Sequence, residues 1–115
     1  MNVAAVLATR EPERLYAGLS VLVSSAADGE QCAALASFGS LELLFDPRID
    51  GPLAPSLAEL VDTALELDNL TVHACSAAMQ TLGIEPAALT ERGLDGVKST
   101  PRFLRDTAGA RLLFV

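Results

Sequence analysis

The sequence predicts an α/β fold: a three-layer α/β/α sandwich around a parallel sheet of about five strands. Three observations predict it. Short apolar, β-compatible runs alternate along the chain with amphipathic helical stretches. The runs are apolar at nearly every position rather than at every second one, the pattern of strands covered on both faces. The chain has 115 residues, half of them apolar, which suits one domain burying roughly two-thirds of its unfolded surface.

Val3–Ala8 reads as the first buried strand. Glu11-Pro12 opens a helix whose inner face carries Leu15, Leu19, Leu22, Val23 and Ala26, and Asp28-Gly29 ends it. Gln31–Phe38 is the second strand, broken by Gly39. Ser40–Phe45 makes one short helical turn. Asp46–Pro55, with three prolines and a glycine, reads as a surface loop.

Ser56-Leu57-Ala58-Glu59 has the form of a capping box. Leu57, Leu60, Val61, Ala64 and Leu65 form the inward stripe of the helix that follows. Leu70–Ala74 is the third strand. A short helix runs from Ser76 to Leu82 and closes on Gly83. Glu85-Pro86 starts another turn, ended by Gly93. Gly96–Ser99 is a short fourth strand, and Thr100-Pro101 caps and opens the last helix, which Gly109 ends. Arg111–Val115 closes the sheet. Such alternation requires parallel pairing through right-handed crossovers.

Charge narrows the partners. Eight basic and fifteen acidic residues leave a net charge of −7, which repels phosphate backbones and anionic membranes. There is no Lys/Arg cluster, and aromatic residues make up only 4%, too few for base stacking. No nucleic-acid or membrane partner is expected, and no apolar run is long enough to span a bilayer. The start of the chain does not read as a signal peptide, so the expected compartment is the cytoplasm. Between Leu41 and Leu70 seven acids face Arg48 alone, whereas from Thr71 onward five basic residues outnumber four acids. This asymmetry suits a basic partner or a second copy of the chain; the simpler reading is that the acids keep an apolar protein soluble. One His and two isolated cysteines make neither a structural zinc site nor a disulfide scaffold, and no metal or cofactor is expected.

In parallel sheets, ligands and reactive groups gather beyond the carboxyl ends of the strands. Four segments meet that condition: Thr9–Arg14, Phe38–Leu41, Cys75–Met79 and Ser99–Arg102. Pocket-lining positions are therefore expected at Thr9, Phe38, Gly39 and Met79. The third segment is the most informative. Cys75 sits where a strand gives way to a helix, and unpaired amides there favour an anion. A thiolate at that point has a lowered pKa, with the amides of Ser76 and Ala77 expected to hold its charge. His73 lies two residues earlier, on the same face if the strand continues, where it can bond the sulfur or take its proton. The alternative is a small buried hydrophobe, the reading given to Cys32.

Other schemes lack their residues. There is no GxxxxGK, GxGxxG or GxSxG. The only lysine, Lys98, precedes the last helix rather than following the last strand, so a phospho-acceptor arrangement is not formed. Arg10 and Arg14 stand beside Glu11 and Glu13 and read as surface ion pairs rather than an anion site.

Ala74-Cys75-Ser76, Met79, Leu82-Gly83-Ile84, Leu94-Asp95-Gly96-Val97 and Phe103-Leu104 together resemble the DsrE/DsrF-like sulfur-relay family. The earlier Leu7-Ala8-Thr9, Pro12–Ala17, Asp28-Gly29 and Phe38-Gly39 fit the same pattern, so the resemblance covers nearly the whole chain. It implies a single DsrE/F-like domain that assembles into homotrimers or hexamers. It also implies a sulfurtransferase-like carrier, holding sulfane sulfur as a persulfide on Cys75 and passing it to an acceptor protein. Ser-Ala-Ala-Met after the cysteine departs from close relatives, which often carry more polar or bulkier residues there. The rival expectation is a non-catalytic subunit or small-ligand binding module with an inert Cys75. Mean hydropathy is +0.37, and this apolar excess independently predicts a surface buried between copies.

Overall fold

The computed structural model describes Met1–Val115. The order is β1 (Val3–Leu7), α1 (Pro12–Ala27), β2 (Cys32–Ala36), α2 (Phe38–Phe45), α3 (Ala54–Glu66), β3 (Leu70–Cys75), α4 (Ser76–Leu82), α5 (Pro86–Arg92), β4 (Gly96–Lys98), α6 (Thr100–Asp106) and β5 (Arg111–Phe114). All five strands are parallel, in the order β4-β3-β2-β1-β5. The fold is the expected α/β/α sandwich.

The chain steps from β1 to β4 in one direction and then returns across the sheet to β5. Right-handed crossovers therefore place α1 to α5 on one face and α6 alone on the other. Leu113 and Val115 point toward α1, where a Cβ on Gly18 would come within 3.0 Å of both Val115 methyls. Leu112 and Phe114 alternate to the α6 face. One row of the register on that face reads Phe114, Val6, Leu35, His73, Gly96. Phe103 plugs α6 onto it and is fully buried, while Leu112 and Phe114 remain 55% and 75% exposed.

The central strand is made of small residues. All five positions of β2, Cys32–Ala36, are buried, and its three alanines let helices approach closely on one side and Phe103 on the other. Leu7, Leu15, Leu19, Leu22, Leu57 and Val61 fill the layer under α1 and α3. Burying such side chains is worth roughly 1.5–3 kcal/mol each and drives the assembly.

Several boundaries differ from the sequence reading. β2 stops at Ala36, and Ser37 and Phe38 begin the next helix. α2 is a full two turns rather than one, and Gly39 lies inside it instead of breaking a strand. The reason is a close approach: a Cβ on Gly39 would stand 2.7 Å from Arg10 Cβ and 2.8 Å from Arg10 Cα. α3 starts at Ala54 with Leu53 at the N-cap, so the Ser56 capping box is not used; Pro55, compatible with a first helical turn, lets the helix begin earlier. Ser99, not Thr100, caps α6, its hydroxyl accepting from Arg102 N at 3.3 Å.

Asp95 sets the start of β4. Its Oδ2 accepts from Val72 N at 2.7 Å and its own N–H donates to Val72 O at 2.8 Å. The side chain thereby extends the edge of β3 before Gly96 turns the chain at φ +135°.

Candidate functional site

Three neighbouring strand ends converge on one sulfur. Ala36 and Ala74 are register partners, as are Cys75 and Lys98. One step beyond Ala36 lies Ser37, and two steps beyond Lys98 lies Thr100. Cys75 ends β3 and is the N-cap of α4, with extended φ −67° and ψ 127°. That conformation turns its side chain back over the first helical turn, where an N-cap group faces the N–H of the second and third helical residues. The amides acting on Cys75 are accordingly those of Ala77 and Ala78, not those of Ser76 and Ala77. No capping hydrogen bond of standard geometry forms, so these groups act on the sulfur as oriented dipoles.

Cys75 is 6% exposed. Burial raises its pKa, but the Ala78 amide, Ser37 hydroxyl, Ala77 amide and Thr100 hydroxyl lower it, and the net result is below the ordinary value. Donors aimed at the thiolate outweigh its desolvation. Cys32 is the internal contrast. It is 1% exposed, its sulfur bonds Glu30 O at 3.6 Å, and burial followed by the Glu30 charge pushes its pKa up while Arg111 opposes weakly. The two thiols of one chain are thus driven in opposite directions by their surroundings.

His73 shares the α6 face with Cys75 in the alternation of β3, but no hydrogen bond joins them. Burial, then the charge of Lys98, lowers its pKa, with Asp95 and Asp106 pulling the other way. The shift favours the neutral imidazole. Its Nδ1 is buried without a partner. Lys98 itself is held by Asp106 at 3.0 Å, which also pairs with Arg102 at 3.1 Å.

The four expected pocket positions separate. Phe38 stands next to Ser37, 41% exposed, at φ +41°, in the left-handed region that a bulky residue rarely enters. Its neighbours hold it there: Ser37 N donates to Leu7 O at 2.8 Å, Gly39 is pressed on Arg10, and Ser40 Oγ donates to Thr9 O at 2.7 Å. Strain of this kind persists only where the surroundings over-determine it. Thr9 is a loop anchor, with Oγ1 accepting from Glu11 N at 3.0 Å. Met79 is a buried core residue of α4. Gly39 lines an open groove of about 700 Å³ between α2 and the α4–α5 connection, together with Arg10, Leu43, Phe45, Leu82 and Ile84.

Ser37, Thr100 and Ala78 are the groups that sequence reading missed. Only the first two carried a signal: each is a hydroxyl residue just past the end of a strand.

No family model and no curated protein matches the chain. Among solved structures, it is similar to a conserved protein of unknown function from Bacteroides thetaiotaomicron, with a TM-score of 0.72 at 14% sequence identity. The match covers 99% of this chain and 94% of that one. At that identity the likeness is one of fold. No helix of the structure is long and apolar enough to cross a membrane.

Proposed function

We propose that the protein is a sulfurtransferase-like carrier that accepts sulfane sulfur on Cys75 as a persulfide and relays it to an acceptor protein. The observation that carries this reading is the place of Cys75, a nearly buried thiol at the end of β3 and the N-cap of α4, where the surroundings draw its pKa below the ordinary value. In loading, the Cys75 thiolate attacks the outer sulfur of a donor persulfide or polysulfide. The Cys75–sulfur bond forms as the donor S–S bond breaks, and the donor leaves as a thiolate. In unloading, an acceptor thiolate attacks the outer sulfur of Cys75–S–S⁻, and Cys75 leaves as the thiolate its surroundings favour. Neither step needs an outside oxidant or a metal. His73 makes no contact that would carry a proton, and the steps do not use it.

The 6% exposure of Cys75 favours one other reading: an inert subunit or binding module of the same fold. Mass spectrometry after incubation with inorganic polysulfide separates the two. The carrier gains the mass of one sulfur, lost in Cys75→Ser and kept in Cys32→Ser. Absence of the adduct, with Cys75 as slow to alkylate as Cys32, establishes the inert module.

We place the chain in a homo-oligomer, the trimer or hexamer that the DsrE/DsrF resemblance implies. Leu112 and Phe114, exposed on the face that α6 leaves open, supply the apolar surface. A cytoplasmic location suits two unpaired cysteines.

A further inference from the structure

We propose that the groove between α2 and the α4–α5 connection docks a basic amphipathic helix of the protein that takes sulfur from Cys75. This rests on the carrier reading above and adds the chemistry of the acceptor.

The groove has an apolar floor and an acidic rim. Leu43 and Phe45 of α2 face Leu82, Ile84 and Ala88 across it. A second depression of about 250 Å³ shares Phe45 and Ala88 and extends the trough to Glu91 and Arg92. Such an open trough suits a helix laid along it, whereas small-molecule sites enclose most of their ligand.

Charge selects the occupant. Glu42, Asp46 and Glu85 line the main depression, and Glu91 the second. The two arginines that also line it are already engaged, Arg10 with Glu42 at 3.2 Å and Arg92 with Asp62 at 3.2 Å, and Asp46 is paired with Arg48 at 2.7 Å, so the uncompensated charge of the rim is that of Glu85 and Glu91. Arg92 Nε also donates to Leu44 O at 2.7 Å. Glu85 and Glu91 have no ion-pair partner. Glu85 is the N-cap of α5 and Glu91 lies in its last turn, each three residues from Ala88, so lysines or arginines beside an apolar stripe would meet both carboxylates. Electrostatic complementarity of this kind sets orientation and speeds encounter.

Position ties the groove to the sulfur. Gly39 in its lining is two residues from Ser37, whose hydroxyl acts on Cys75. α4 runs from Cys75 to Leu82 in the groove wall, about 10 Å at the rise of an α-helix. A helix seated here brings its leading residues to the mouth of the sheet.

The test uses the full chain and a fluorescein-labelled synthetic helix of leucine and lysine, with leucines at i, i+3, i+4 and i+7. Fluorescence anisotropy is expected to show Glu85→Lys/Glu91→Lys weakening binding by roughly tenfold or more. The charge-matched Glu59→Lys/Glu66→Lys pair on the outer face of α3 changes it by less than about twofold. Glu85→Gln/Glu91→Gln, which adds no like charge to the helix, is expected to fall between them. Equal weakening by both lysine pairs means attraction to net charge alone and overturns the proposal. A change of oligomeric state in Glu85→Lys/Glu91→Lys means that a second copy fills the groove, and overturns it too. Polysulfide loading of Cys75 is read in parallel and stays at wild-type level in every groove variant. Loading without groove-selective binding retires the groove; groove-selective binding without loading retires the carrier reading and with it the acceptor as occupant.

Discussion

Ser37 and Cys75, separated by 38 positions in sequence, leave the sheet side by side at the ends of adjacent parallel strands, and the Ser37 hydroxyl helps draw the Cys75 pKa down. The proximity follows from register: Ala36 and Ala74 are partners, so the residues after them emerge side by side. Neither residue reveals the pairing alone. Ser37 reads as part of the second strand, and Cys75 marks a strand-to-helix junction without showing which strand end lies beside it.

Ser37→Ala removes one donor from the thiolate and nothing from the core layer. Its expected effect is a rise in the Cys75 pKa and a roughly fivefold slower alkylation at pH 7, the loss that a hydrogen bond worth about 1 kcal/mol implies. The pH profile of iodoacetamide labelling, read by mass spectrometry at Cys75, checks it. An unchanged profile would mean that the amides of Ala77 and Ala78 hold the anion unaided.

The two thiols should respond oppositely to pH. The folded-state pKa of Cys75 lies below the ordinary 9.0, so between those values the folded chain binds fewer protons there than the unfolded one. That contribution to stability grows as pH rises through the window and is lost as pH falls through the folded value. For Cys32 the folded value is raised, so its contribution is present below 9.0 and fades as pH rises above it. Thermal melts between pH 7 and 10 on Cys75→Ser and Cys32→Ser should change slope in opposite senses.

Phe38 holds a left-handed conformation that a glycine adopts without strain. Phe38→Gly and Phe38→Ala both delete the ring, but only glycine relieves the backbone. The glycine variant is expected to be more stable than the alanine variant by about 1 kcal/mol. Urea unfolding of the pair measures this directly. A more stable alanine variant would show that the strain is relieved elsewhere.

Gly39→Ala places a Cβ 2.7 Å from Arg10 Cβ and 2.8 Å from its backbone. α2 must move away from the β1–α1 loop, at a cost of about 1–3 kcal/mol typical of overpacking. Because Ser37 stands at the N-cap position of the same helix, Cys75 labelling should slow together with the loss of stability. A variant that melts lower but labels at the wild-type rate would uncouple α2 from the sulfur.

Leu112→Glu and Phe114→Glu put charge on the open face beside α6. If that face is buried between copies, light scattering at micromolar concentration should show the pair as monomers while the wild type stays assembled. Circular dichroism should be unchanged, since both side chains are more than half exposed. A monomeric wild type would refute the interface outright.

Local patterns in the chain were enough for the architecture. Fully apolar strands such as Cys32–Ala36, helices with a leucine stripe such as Leu15, Leu19 and Leu22, and glycines after Leu82 and Arg92 each report a local energetic preference, and their alternation leaves few topologies. Cys75 was legible for the same reason: a strand-to-helix junction is a local event. What lay beyond reach depended on the distance between segments. The end of β2 at Ala36 rather than Phe38 is set by Gly39 pressing on Arg10. The capping of α6 by Ser99 follows from where β4 leaves the sheet. The donors Ser37 and Thr100, and the missing hydrogen bond from His73, are products of register across three strands. Sequence specifies which surfaces are apolar and where the chain turns; only packing decides which strand ends meet, because a one-residue shift in register exchanges the face of every side chain.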